Sequence, residues 1–165
     1  MTTALRELLL PDPRGTRSPY RPGEPGPWRT PSGPLTARVA YAAAHVVPAV
    51  WADNSPEVPA TVDWDATLAF RHHLWSYGLG VAEAMDTAQR GMGLDWPATV
   101  ELIRRSAAEA RSVGGAIVAG AGTDQLDERA LPGDRRRALA TVTDAYREQL
   151  AVVVDAGARP VLMAS

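Results

Sequence analysis

The chain of 165 residues has the length of a single domain, since domains commonly span about 100–200 residues. Its 45% hydrophobic and 22% charged residues, with a formal net charge of −2, exclude a wholly disordered chain and leave no basic footprint for nucleic acid. There is no cysteine and all 17 basic residues are arginine, which excludes thiolate metal sites, a cysteine nucleophile and a Schiff-base lysine.

The N-terminal residues do not have the pattern of a targeting segment. Residues 4–10 are short, contain Arg6 and Glu7, and lead into prolines instead of a small-residue cleavage site. No run approaches the roughly 18 consecutive apolar residues that a membrane span needs. We therefore expect a soluble, cytoplasmic protein with no membrane partner and no nucleic-acid partner.

Residues 1–35 are predicted to form an arm rich in proline, glycine and arginine. Eight of the fourteen prolines lie in this part of the chain, and proline removes the amide donor that helices and inner strands require. Tyr20 and Trp28 give the arm apolar anchors. We expect it to lie extended over the body of the protein or over a neighbouring subunit.

From residue 36 onward, short apolar segments alternate with longer amphipathic ones. The apolar segments predict strands at residues 37–47, 79–87, 115–123 and 159–164, the first of them buried on both faces. The amphipathic segments predict three helices, each with an aspartate at its start and a glycine at its end. These capping residues are Asp63 with Gly78, Asp95 with Gly114, and Asp134 with Gly157.

The order β-α-β-α-β-α-β predicts an α/β protein with a parallel sheet, either doubly wound or part of a barrel. The phosphate-binding glycine pattern of dinucleotide folds is incomplete, because Gln125 stands where its third glycine would be. A complete (β/α)₈ barrel needs roughly 250 residues. Residues 36–165 are therefore predicted to be a partial (β/α)₈ TIM barrel, its N-terminal half with strands 1–4.

Polar residues follow the predicted strands, and the carboxyl ends of parallel strands share one edge of the sheet. His45 and Glu83 are the first candidates for catalysis, with a buried histidine and a buried Glu–Arg ion pair as the structural alternatives. The remaining strand-end candidates, all for substrate binding, are Asp86, Gln89, Arg90, Gly120, Gly122, Thr123 and Asp124.

Four of these candidates also have structural alternatives. Asp86 and Arg90 could pair with each other across a turn, and the glycines could serve only a tight strand-to-loop geometry. Thr87, in the same region, is expected from its residue type alone to close a turn through its hydroxyl.

A metal-dependent lyase or isomerase is an alternative reading of the same strand ends. His45, Glu83, Asp86 and Asp124 offer nitrogen and oxygen ligands suited to Mg²⁺ or Mn²⁺, which would polarise a carbonyl without a lysine. A third reading is not enzymatic. Four strands of a barrel leave an open edge, which favours pairing with another copy of the chain or with a complementary half.

Residues 37–165 resemble the first half of the dihydrodipicolinate synthase and N-acetylneuraminate lyase superfamily, the pyruvate-type aldolases built on a (β/α)₈ barrel. The runs VAYAAAHVV, DWDATLAFRHHLWSYGLGVAEAMDTAQRGMGLDW and GGAIVAGAGTDQL look closer to an uncharacterised branch of that superfamily, a domain of unknown function. The resemblance implies carbon–carbon bond formation or cleavage on a small 2-oxo acid through an enamine.

The resemblance also assigns roles to residues. The superfamily's Gly-Thr-Thr-Gly-Glu motif, which binds the substrate carboxylate and passes protons, falls on residues 86–90, where only Thr87 matches. The resemblance therefore makes Thr87 a catalytic candidate beside His45 and Glu83. The segment IVAGAG at residues 117–122 is similar to the superfamily's Gly-x-Gly stretch. The superfamily's Schiff-base lysine lies on the sixth strand, so the resemblance implies a chain that is inactive alone by the amine mechanism and requires no cofactor.

Overall fold

A computed structural model of the protein describes residues 7–23, 38–55, 58–85, 88, 90 and 92–164. Contacts along the chain divide it into two compact units, Met1–Thr30 and Pro31–Ser165. In the part of the chain that the structure describes, no helix combines the length and apolar character needed to cross a membrane.

The first unit contains an antiparallel hairpin of two exposed strands, β1 (Leu8–Pro11) and β2 (Arg17–Tyr20). Asp12 builds its turn by accepting hydrogen bonds from the amides of Arg14 and Thr16, and Gly15 adopts a φ of +79°. The proline content led us to expect an extended arm without a helix or an inner strand. Each strand of a two-stranded ribbon has one unpaired side, so proline can be accommodated there without loss of a ladder hydrogen bond.

The second unit alternates strands and helices as predicted. Its elements are β3 (Tyr41–Ala43), α1 (Trp64–Ser76), β4 (Gly80–Glu83), α2 (Trp96–Val113), β5 (Ile117–Ala121), α3 (Arg135–Asp155) and β6 (Arg159–Leu162), with a short 3₁₀ turn at Glu128–Ala130. The mixed α/β class with a parallel four-stranded sheet is therefore confirmed.

The strand order in the sheet is β3-β4-β5-β6, with every neighbouring pair parallel. A doubly wound sheet reverses its strand order at a switch point. These four strands show no reversal, so that alternative does not apply to them. Helix α2 contacts both α1 and α3, and on the sheet α1 contacts β4, α2 contacts β4 and β5, and α3 contacts β5 and β6, so the three helices form one layer.

The ends of the helices confirm the predicted capping residues. Asp63, Asp95 and Asp134 each accept a hydrogen bond from the amide three residues later, at 2.9–3.0 Å. The glycine that follows each helix has a φ between +66° and +83°, the left-handed region that favours glycine.

Two details of the predicted elements are wrong. The strand expected at residues 37–47, buried on both faces, is only three residues long and lies at the edge of the described sheet, where Tyr41 is 38% exposed. On α3, Leu139 precedes Val142, Tyr146, Leu150 and Val153 at helical spacing, which predicts one apolar stripe that includes Leu139, but that side chain is 57% exposed. The buried face of α3 instead contains Ala145, Gln149 and Val153.

Candidate functional site at the strand ends

A buried ion pair joins helix α1 to the end of strand β4. The Nε and Nη2 atoms of Arg71 donate to the two carboxylate oxygens of Glu83 at 2.8 and 2.7 Å, and both side chains are fully buried. The remaining nitrogen of Arg71 donates to the carbonyls of His45 and Thr67. Glu83 thus has the structural role given above as the alternative to catalysis: it is a buried carboxylate whose charge is balanced by an arginine.

Strand β4 ends in a strained turn. Ala84 has a φ of +49°, a left-handed conformation that costs a residue with a Cβ about 1–2 kcal/mol. Its amide donates to Glu83 and its carbonyl accepts from Arg90, so an arginine cluster holds it on each side. Strain of this kind persists where the surroundings determine the backbone, and it occurs often at functional sites.

Arg90 forms a second cluster, at the carboxyl ends of β4 and β5. Its Nη1 donates to the carbonyls of Ala84 (3.1 Å) and Gly120 (2.9 Å), and its Nε donates to Asp124 at 3.2 Å. Its Nη2 donates to Asp124 and to Gln149, the latter at 2.7 Å. All five N–H groups of the guanidinium are thus satisfied and its side chain is only 3% exposed, so Arg90 holds two strand ends together and has no donor left for a ligand.

Gln149 links this cluster to helix α3. Its amide oxygen accepts from the Gly122 amide at 2.6 Å, and its amide nitrogen donates to Asp124 and Gln125. Gln149 is fully buried, so each of these hydrogen bonds replaces one that water would otherwise make. The cluster therefore ties the loop after β5 to the helix that follows it.

The environment of Asp124 lowers its pKa below the usual value. Burial of the carboxylate acts to raise the pKa, but hydrogen bonds from Gln149 and Arg90 and the charge of Arg90 together outweigh it. Asp124 thus stays ionised in the folded protein at neutral pH.

Two glycines at the end of β5, Gly120 within the strand and Gly122 just after it, make room for a methionine. A Cβ on Gly120 would lie 2.7 Å from the Met163 sulfur and 2.8 Å from the Ala84 carbonyl oxygen. A Cβ on Gly122 would lie 3.1 Å from the terminal methyl of Met163. The space left by the absent glycine side chains is therefore occupied by Met163 of the same chain.

The predicted site residues divide into three groups. Arg90, Gly120, Gly122 and Asp124 come together in the cluster just described. His45 lies just beyond β3, where its side chain is exposed and its imidazole makes no hydrogen bond to any residue of the described ranges, while Thr123 is half-buried beside Asp124. The predictions for Asp86, Thr87 and Gln89 fall outside the described residues.

The metal hypothesis involves two carboxylates that already have partners. Glu83 is bound by Arg71 and Asp124 by Arg90. Within the residues that the structure describes, no three His, Asp or Glu side chains gather as a metal site. Asp86, the fourth member of the proposed ligand set, lies outside those residues.

Two residues central to the site were not among the candidates, Arg71 and Gln149. Each is a polar residue at helical spacing from buried positions of its own helix: Thr67 lies one turn before Arg71, and Val153 one turn after Gln149. A polar side chain on the buried face of a helix requires a partner. For Gln149 that signal was present in the sequence, because the apolar Val153 shares its face, but for Arg71 it was not, because the buried residues of α1 are Thr67 and Arg71, both polar.

Comparison with protein families gives a match over most of the chain. A family model described as "Protein of unknown function (DUF993)" matches residues 8–165. No curated protein matches the chain.

Proposed function

Since the chain belongs to the DUF993 family, whose function is unknown, we propose that it forms the first four strands of an aldolase or lyase barrel that acts on a small 2-oxo acid. The observation that carries the proposal is the uninterrupted parallel order β3-β4-β5-β6 with one layer of helices. A (β/α)₈ barrel repeats that unit, and its active site lies at the carboxyl ends of its strands.

The two arginine clusters support this proposal because they are suited to serve as the scaffold of an active site. They hold the ends of β4 and β5 through Glu83, Ala84 and Gly120, the edge at which a barrel collects its reacting groups. A site of this kind needs rigid supports that place the residues around a substrate. We propose that the clusters fix the carboxyl ends of the strands in place and that neighbouring groups such as His45 contact the 2-oxo acid.

The amine chemistry of the resembling superfamily requires a lysine, and the 165 residues contain none. We therefore propose that a second, complementary chain supplies the remaining strands and the amine. Strands β3 and β6 flank the described sheet, and each has one side without a described neighbour that a further parallel strand would extend.

Titration with pyruvate, followed by backbone amide NMR, tests the substrate class. We expect shifts at the strand-end amides of Ala44 and Gly122 and none at Gly78 and Gly115, which lie at the opposite ends of the strands. Acetate, which lacks the oxo group, is the control and should shift the strand-end amides less. The proposal fails if pyruvate shifts neither pair or shifts both equally.

Reduction with borohydride in the presence of pyruvate, followed by intact mass measurement, tests the amine requirement. We expect the folded chain to gain no more adduct than the same chain unfolded in urea, which reports the background reaction of the terminal amine. A stoichiometric adduct on the folded chain alone would contradict the need for a second chain.

A further inference from the structure

A small pocket of about 210 Å³ lies between the loop after β3 and the loop after β4. Its walls are Val46 and Ala60 from the first loop, and Ala88 and Leu94 from the second. Ala88 and Leu94 are almost fully buried and belong to the hydrophobic core, so the floor of the pocket is the core itself.

Hydrogen bonds fix both loops around the pocket. The amide of Ala60 donates to the Gly93 carbonyl at 2.9 Å, which joins the two loops directly. Within the first loop, the Ala49 amide donates to the Thr61 carbonyl at 2.7 Å. The Val47 amide donates to the hydroxyl of Thr67 on helix α1 at 3.0 Å, which joins the loop to that helix. The pocket is therefore formed before any ligand arrives, which lowers the entropic cost of binding.

The lining has a distinct chemical character. Ten described residues line the pocket, none of them charged, and Asn54 and Ser55 are the polar members of that set. The amide nitrogen of Asn54 is already committed to the carbonyls of Ala49 and Ala52, so its side chain offers an acceptor oxygen. A carboxylate or phosphate placed here would lose its hydration without gaining a cationic partner from this lining.

We propose that this pocket binds a small, uncharged, largely aliphatic molecule. A dry apolar cavity of about 150 Å³ accommodates benzene, so the observed volume suits a ligand of about six to nine non-hydrogen atoms. Met92 at the rim is 75% exposed and Val58 is 39% exposed, so a bound ligand would also cover apolar surface now in contact with water. This inference does not depend on the proposed 2-oxo acid chemistry.

Two probes with the same carbon skeleton, 4-methyl-2-pentanone and 4-methyl-2-oxopentanoate, test the charge requirement. Methyl NMR of the full chain should show the ketone shifting the resonances of Val46, Leu94 and Met92, with a dissociation constant in the millimolar range. The methyl groups of Leu139 and Val154, exposed on α3, should not move. The acid should bind at least about fivefold more weakly, since it carries a charge into the same uncharged lining.

Ala60→Leu fills the pocket and should weaken ketone binding at least tenfold, while Ala140→Leu, at an exposed position of α3, should leave it unchanged. The proposal is wrong if the ketone shifts none of the pocket methyls of the unaltered chain, or if the acid binds there more tightly than the ketone. The second result would instead support the 2-oxo acid function. Shifts from pyruvate at the strand-end amides, with no ketone binding, would retain that function and reject this pocket.

Discussion

At the scale of single residues, the strand ends are stabilised by two arginines whose partners lie far away in the chain. Arg71 and Glu83 share a bidentate ion pair with no exposed surface, and Arg90 binds Asp124 and Gln149. A buried pair of this kind adds little or no stability over a well-packed apolar pair, but loss of one partner leaves an unpaired charge in the interior. Removing the partner of a buried arginine should therefore destabilise the protein more than removing one partner of a surface ion pair.

Glu83→Ala should lower the free energy of unfolding by about 3–5 kcal/mol, because it leaves the Arg71 guanidinium buried without its counterion. Urea denaturation followed by circular dichroism measures this loss. The matched control is Glu101→Ala on α2, which removes the exposed partner of Arg105 and should cost less than about 1 kcal/mol. Equal losses of unfolding free energy in the two variants would show that breaking the buried pair costs no more than breaking an exposed one.

Acidification provides a test of Asp124. Because its pKa is lowered in the folded protein, its contribution to stability is fully present above its unfolded pKa of about 3.9 and is lost as the pH falls through the lower folded pKa. The unfolding free energy of Asp124→Asn, measured by urea titration between about pH 5 and pH 2, should therefore fall less steeply with acid than that of the unaltered chain. Identical slopes would mean that the carboxylate is not stabilised in its charged form.

These residue-scale contacts were the least predictable part of the molecule from sequence. Arg90 and Gln149 are 59 positions apart, and Arg71 and Glu83 are 12 apart. The sequence indicates that Glu83 needs a partner, because a carboxylate inside an apolar run is costly unless paired. Which arginine meets it depends on how α1 packs against β4, and local patterns do not encode that packing.

At the scale of secondary-structure elements, prediction succeeds where the cause is local. The aspartates that begin the helices bond to amides three residues away, and the glycines that follow the helices relieve a left-handed backbone. Strand lengths were less accurate. Strand β3 ends at Ala43, with a last hydrogen bond of 3.4 Å from the Ala44 amide to the Ala82 carbonyl, but the apolar run continues to Val47 because Ala44 and Val46 still pack inward.

Gly120, within β5, gives an element-scale prediction. Gly120→Ala should destabilise the protein by about 1–3 kcal/mol, because the new Cβ would meet the Ala84 carbonyl, which cannot move without disturbing the end of β4. Gly133→Ala is the control, since a Cβ there meets nothing within 4 Å. Thermal unfolding of the two variants measures the difference. If Gly120→Ala is as stable as the control, the close packing between β5 and its surroundings does not require a glycine.

At the scale of the whole molecule, the strand order was predictable because right-handed crossovers in sequence place successive strands side by side. What the sequence left open was whether that order continues around a barrel. In the described sheet, β3 and β6 each pair with one neighbour, and apolar side chains near both edges are exposed, with Val39 at 68% and Leu162 at 66%. An open edge with apolar flanks is a template for another strand.

The chain should therefore associate when purified alone, because without its proposed complementary chain the open edge of β6 can pair with a second copy. Sedimentation velocity should show species heavier than the 17.6 kDa chain as the concentration rises. Leu162→Lys places a charge at that edge and should shift the protein toward monomer, since an edge lysine opposes strand addition. Leu139→Lys adds the same charge to an exposed position of α3 and should not change association, since no free backbone edge lies there. A chain that stays monomeric at every concentration would mean that the strand edges are already satisfied, and the need for a complementary chain would lose its structural basis.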